Sequence, residues 1–112
     1  MRIPGADDAI ILREKLVRYL LNLDHPDGGS KAVVLGHAGF SADHAEELEH
    51  ALRTEHLFLE AKRGKHSEFG RKYEIVGPLS GPGGHVVVRS IWIIRHEEAV
   101  PRLITLVPEK LR

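Results

Sequence analysis

Leu12, Leu16, Leu20 and Leu23 recur at spacings of four, four and three. That period places them on one face of a helix and leaves Arg13, Glu14, Lys15 and Arg18 for the others. The helix must end before Asp24-His25-Pro26-Asp27-Gly28-Gly29, because proline disfavours helix at the residue before it and the glycines admit positive backbone angles. Ser30 is an N-cap candidate for a short helix over residues 31–38, closed by Gly39, with Ala32, Val33, Leu35 and Phe40 available for burial. Ser41 opens a third helix, residues 42 to about 55. Its apolar stripe is Ala45, Leu48 and Leu52, and its early Asp43, Glu46, Glu47 and Glu49 suit the positive helix end.

Beyond Leu57 the period changes. Stretches rich in β-branched and aromatic residues occupy 57–62, 71–76, 86–95 and 102–107, separated by charged or Gly/Pro segments. Those separators are too short for crossover helices, so four strands in an antiparallel meander are expected. A sheet of this kind needs one face covered, and only the preceding helices can cover it. The predicted fold is therefore α+β: N-terminal helices packed on a four-stranded antiparallel meander, one domain over residues 1–112. In the third strand Val86, Val88, Ser90, Trp92 and Ile94 share one face, and Val87, Arg89, Ile91, Ile93 and Arg95 the other. In the last, alternation puts Arg102, Ile104 and Leu106 opposite Leu103, Thr105 and Val107. Trp92 reads as a core residue.

Composition adds bounds. The 112 residues are 42% apolar and 29% charged, which is ordinary for one globular core. A chain this short keeps roughly a third of its unfolded-state surface exposed, so a homo-oligomer is one way to gain stability. The absence of cysteine excludes disulfides, thiolate zinc sites and a cysteine nucleophile, and it suits a reducing cytoplasm. The apolar run 86–94 is broken by Arg89 and is about half the roughly 20 residues of a membrane span, so no membrane association is expected. The start Met1-Arg2-Ile3-Pro4 does not lead into a signal-peptide pattern either, and a cytoplasmic location is expected. Net charge is zero, but residues 1–56 hold 6 basic and 10 acidic side chains while 57–112 hold 10 and 6. A basic sheet half could meet an anion such as RNA.

Candidate chemistry centres on a few residues. His25 sits in a tight turn at a helix end, and an imidazole is the side chain best matched to proton transfer near neutrality. Lys31, near the next helix start, could hold a phosphate; Thr105 could aim a hydroxyl at a phosphate or an oxyanion. Arg89 and Arg102 are candidate phosphate-binding residues in the basic half. Each has a plain alternative: a turn histidine bonded to backbone, a β-forming threonine, solvated cations. Eight histidines are many, yet no pair stands four apart on a helix, so neither a metal nor another cofactor is expected. Gly81-Pro82-Gly83-Gly84 lacks the Lys-Ser/Thr of a phosphate loop and reads as a hairpin turn.

Several ordered segments together resemble a family of small bacterial domains of unknown function. They are Ile3-Pro4-Gly5-Ala6, Lys15-Leu16, Tyr19-Leu20-Leu21-Asn22, His25-Pro26 with Gly28 and Lys31-Ala32, Gly70 with Lys72-Tyr73-Glu74, Ser90-Ile91-Trp92-Ile93, and Pro101-Arg102-Leu103-Ile104-Thr105 with Pro108. The resemblance implies a free-standing protein like those of toxin–antitoxin pairs, or a tail domain of a larger toxin. The order of helices and strands is similar to that of barnase-like and colicin-type ribonuclease toxins, which is an analogy of fold. One departure stands out: the family pattern Thr-Ala-Tyr-Pro is here Thr105-Leu106-Val107-Pro108, without the tyrosine. Two functional classes follow. One is a metal-independent endoribonuclease using His25, Lys31 and Thr105 with Arg89 and Arg102; the other is a non-catalytic module binding a small cognate protein, toxin partner or immunity-like.

Overall fold

A computed structural model describes residues 1–109. Three helical elements precede four strands, in the order expected. The first is shorter than the leucine stripe suggests. Helix α1 (Arg13–Lys15) runs into a π-helical turn, Leu16–Leu20, in which the Leu21 N–H donates to the Leu16 carbonyl at 2.8 Å, five residues back. Leu16, Leu20 and Leu21 are buried, whereas Leu12 is 49% exposed and Leu23 is 67% exposed. Leu12 stands in extended backbone before the helix and Leu23 lies beyond its end, so the stripe is cut at both sides. The wider π ring lets Leu21 take the place over Leu16 that a continuous α-helix would have given to Leu20.

Helix α2 (Gly29–His37) starts earlier than Ser30 predicts, with Gly28 as its N-cap residue and Ser30 exposed in its first turn. The His25 and Gly28 carbonyls start it, accepting from Gly29 N–H at 2.9 Å and Ala32 N–H at 2.9 Å. Ala32, Leu35 and Phe40 are buried as expected, but Val33 faces outward. After a short 3-10 turn, Ala42–His44, helix α3 (Ala45–Thr54) buries Ala45, Leu48, Ala51 and Leu52.

The strands are β1 (Ala61–Ser67), β2 (Gly70–Gly81), β3 (Gly84–Arg95) and β4 (Arg102–Pro108), antiparallel in the order β1-β2-β3-β4. β1 begins later than the apolar pattern suggests, because His56–Phe58 forms a 3-10 turn that buries His56 and Leu57. β2 and β3 are longer than predicted and close through the two-residue turn Pro82-Gly83. The Gly83 N–H donates to the Ala38 carbonyl at 2.9 Å, which docks the hairpin tip on the end of α2. The helices cover the face formed by Tyr73, Ile75, Leu79, Val88, Ser90 and Trp92, and Trp92 is fully buried. On the other face Lys72, Glu74 and Val76 of β2 lie beside Ile93, Ile91 and Arg89 of β3.

β4 departs from strict alternation. Trp92 pairs with Leu103 but Ile91 pairs with Thr105, so Ile104 is an extra residue, a β-bulge. Leu103 and Leu106, three apart, both enter the core as a result, where alternation would set them on opposite faces. The bulge takes Thr105 off the Leu103 side and leaves it half-buried on the outermost strand.

Candidate functional site

Three elements bring one polar cluster together. Tyr19 stands on the π turn, Lys31 in the first turn of α2 and Thr105 just after the β4 bulge. The Lys31 ammonium donates to the Tyr19 hydroxyl and to Thr105 Oγ1 at 3.0 Å. Tyr19 OH and Thr105 Oγ1 are 3.0 Å apart, closing a triangle of hydrogen bonds. Lys31 Nζ also lies 4.7 Å from the centre of the Tyr19 ring. Lys15 approaches from the preceding turn: its Nζ donates to the Ile104 carbonyl at 2.8 Å and sits 5.9 Å from the same ring. The bulged residue thus anchors a second ammonium beside the phenol. All four side chains are half-buried and reachable from solvent.

Local sequence explains the placement. A side chain at Gly28 would collide with the Tyr19 carbonyl and ring, so only glycine lets the chain wrap this closely over Tyr19. His25, in the same turn, sets its ring edge-on to Tyr19 with centroids 5.0 Å apart. Its Nδ1 accepts from the backbone N–H groups of Asp27 at 3.0 Å and Gly28 at 2.9 Å. That pattern puts the proton of the neutral ring on Nε2, which is therefore a donor. His25 in this state organises the turn through one nitrogen and offers an N–H through the other.

Burial opposes ionisation of the Tyr19 phenol. Hydrogen bonds from Lys31 and Thr105, with the Lys31 charge, outweigh it and hold the phenol below the ordinary tyrosine range; Asp27 pulls weakly the other way. In its ionised form a phenol so placed can accept a proton from a bound hydroxyl group while the ammonium beside it faces negative charge.

The structure brings Lys31 and Thr105 into hydrogen-bond contact and sets His25 against the same tyrosine; Arg89 and Arg102 stand apart, each committed to carboxylates. Arg89 bonds Glu109 at 2.9 and 3.2 Å and Glu74 at 3.3 Å. Hydrogen bonding and charge from Glu109, supplemented by Glu74, hold its proton still more firmly than usual. Arg102 Nη2 bonds Glu98 at 2.8 Å, and that bond keeps the Glu98 carboxyl below its ordinary range. Motif reading misses Tyr19, since a tyrosine within a leucine-rich helix reads as packing. The signal available was its position one turn after Lys15 and six residues before His25.

Among the described residues no three His, Asp or Glu side chains converge as metal ligands, and no helix is long and apolar enough to cross a membrane. No curated protein and no solved structure matches the chain. The sequence pattern of the family described as "Domain of unknown function (DUF6883)" matches residues 2–110, nearly the whole length, and the chain belongs to that family.

Proposed function

We propose that the protein is a cytoplasmic, toxin-like endoribonuclease that needs no metal, with its centre at Tyr19, Lys31 and Thr105. The observation that carries the reading is the convergence of those three polar groups from three separate elements, around a phenol whose ionisation is eased. The Tyr19 oxygen, in its ionised form, takes the proton of an RNA 2′-hydroxyl as O2′ bonds to the adjacent phosphorus. Lys31 faces the phosphate charge. The P–O5′ bond breaks and O5′ leaves with a proton from the Lys31 ammonium. The proton gained by Tyr19 then crosses the Tyr19–Lys31 hydrogen bond and restores both groups. The products are a 2′,3′-cyclic phosphate and a 5′-hydroxyl. Thr105 orients the pair, and His25 Nε2–H donates to a phosphoryl oxygen. In this reading Lys31 meets the phosphate, while Arg89 and Arg102 serve the ion pairs they already make.

The test is incubation of the wild type, Tyr19→Phe, Lys31→Ala and His25→Ala with total RNA and tRNA in chelator, followed on gels. Cleavage by the wild type that falls at least a hundredfold in Tyr19→Phe and Lys31→Ala supports the reading. Undiminished cleavage in Tyr19→Phe would remove the base assigned here. No cleavage by any form favours the second reading, a module that binds a small cognate protein. That reading draws on the sheet face turned away from the helices, where Val76 is exposed and Ile91 and Val107 are half-exposed around an Arg89 already neutralised by Glu74 and Glu109.

A further inference from the structure

The cations of this electrically neutral chain are not evenly used. Arg2, Arg53, Arg89, Arg95 and Arg102 are all ion-paired. Lys62, Arg63 and Lys65 of β1 and Lys72 of the adjacent β2 make no ion pair among the described residues, and all four are exposed; Arg63 pairs with the core residue Tyr73 and so belongs to the helix side of the sheet, while Lys62 and Lys72 share the open face. Glu60 is bonded by the N-terminal ammonium and Glu74 by Arg89, while Glu68 in the β1–β2 turn is exposed and makes no ion pair among the described residues. At the end of this stripe the β1–β2 turn holds Phe69 at 68% exposure, over a shallow cleft of about 450 Å³ that it lines with Glu68, Ile93, Arg95, His96 and Glu97. A row of free cations ending in an exposed aromatic ring is the recognition chemistry of a single nucleic-acid strand: ammonium groups track phosphates and the ring stacks a base.

We infer that the β1–β2 stripe Lys62, Lys65 and Lys72 is a binding track for single-stranded RNA, with Phe69 as its stacking platform. The inference rests on RNA being the substrate. The register gives it a route to the candidate centre, since Lys62 pairs with Glu74, Glu74 with Ile91 and Ile91 with Thr105. Three strand spacings separate the ends of that row, about 14 Å. One RNA strand crossing the sheet would touch both.

The test uses a fluorescein-labelled, fully 2′-O-methylated 12-mer, which cannot be cleaved by 2′-hydroxyl attack, so binding is read without reference to cleavage. Anisotropy titrations from 50 to 200 mM salt compare the wild type with Lys62→Ala/Lys65→Ala/Lys72→Ala and with Phe69→Ala. The triple variant is expected to bind at least tenfold more weakly at 100 mM salt, with its log–log salt slope reduced by about 2, near 0.7 for each phosphate that no longer meets a cation. Phe69→Ala is expected to lose about fivefold or more for the 12-mer, and nothing for an abasic strand of equal length. Binding by the wild type that is absent at low salt, or equal in the triple variant, overturns the inference. So does a triple variant that binds RNA normally but self-associates, because the lysines would then only blunt an edge strand. Track binding without cleavage would overturn the ribonuclease reading and leave the track standing.

Discussion

At the residue scale the centre of interest is one oxygen, the Tyr19 hydroxyl, and the ammonium that donates to it. A phenol packed against a helix would ordinarily ionise less readily than in water, because burial penalises the anion. Here the Lys31 and Thr105 bonds reverse the sign. The consequence can be read spectroscopically, since the chain has only two tyrosines and the other, Tyr73, is buried on the core face. Ultraviolet titration of tyrosinate should give one phenol ionising below the ordinary range. In Lys31→Ala that transition should move upward, because the first hydrogen bond and the favourable charge are removed together. A wild-type transition at or above the ordinary value would show that burial wins and that Tyr19 is no base.

Elements decide whether those residues meet. The turn between the π segment and α2 works only because Gly28 has no side chain where the Tyr19 carbonyl and ring pass. Gly28→Ala should destabilise the fold by more than about 1 kcal/mol, the usual excess when alanine is forced into an incompatible position. Because the collision falls on Tyr19 itself, the low-ionising phenol should be lost in the same variant. Urea melts and the tyrosine titration, taken together, check both; a variant as stable as the wild type with an unshifted phenol would mean the chain relaxes around the methyl group. This juxtaposition also marks the limit of what residue patterns reveal. Leu16 and Leu20, the α3 stripe and the Trp92 face were legible, because burial of one face imposes a period on the residues that build it. The β4 bulge was not, because one extra residue at Ile104 obeys no period and exchanges the facing of everything after it. The π turn escaped for the same reason. Lys31 and Thr105 were legible only as separate candidates; the tyrosine linking them lies 12 residues from one and 86 from the other.

At the scale of the whole molecule, one polar chain threads the core. Trp92 Nε1–H donates to Ser90 Oγ at 2.7 Å, Ser90 Oγ lies 2.7 Å from His56 Nε2, and His56 Nδ1 lies 3.3 Å from the Pro78 carbonyl. A carbonyl can only accept, so Nδ1 carries the proton and Nε2 accepts from the serine. Every donor in the chain is then used, with His56, Ser90 and Trp92 all fully buried. The Ser90 hydroxyl also stands 3.4 Å from the Ile75 carbonyl, and it is burial that favours the neutral imidazole. Desolvation by burial lowers the His56 pKa, against weaker opposing pulls from the Pro78 and Ile75 carbonyls and Glu55. The unfolded chain therefore takes up a proton on His56 near the ordinary histidine value of about 6.5, while the folded chain resists until a lower pH. Stability contributed by His56 is fully present above about pH 6.5 and declines as pH falls toward the folded value, by up to about 1.4 kcal/mol per pH unit. Urea melts of the wild type and His56→Leu from pH 7.5 to 5.0 isolate this effect from the other histidines. The variant should be the less stable at pH 7.5, since Ser90 and the Pro78 carbonyl lose a partner, and the gap should narrow as pH falls. A gap that stays constant across the range would mean that His56 remains unprotonated in both states or charges freely in the folded core, and either result would refute the neutral hydrogen-bonded chain as the source of the pH dependence.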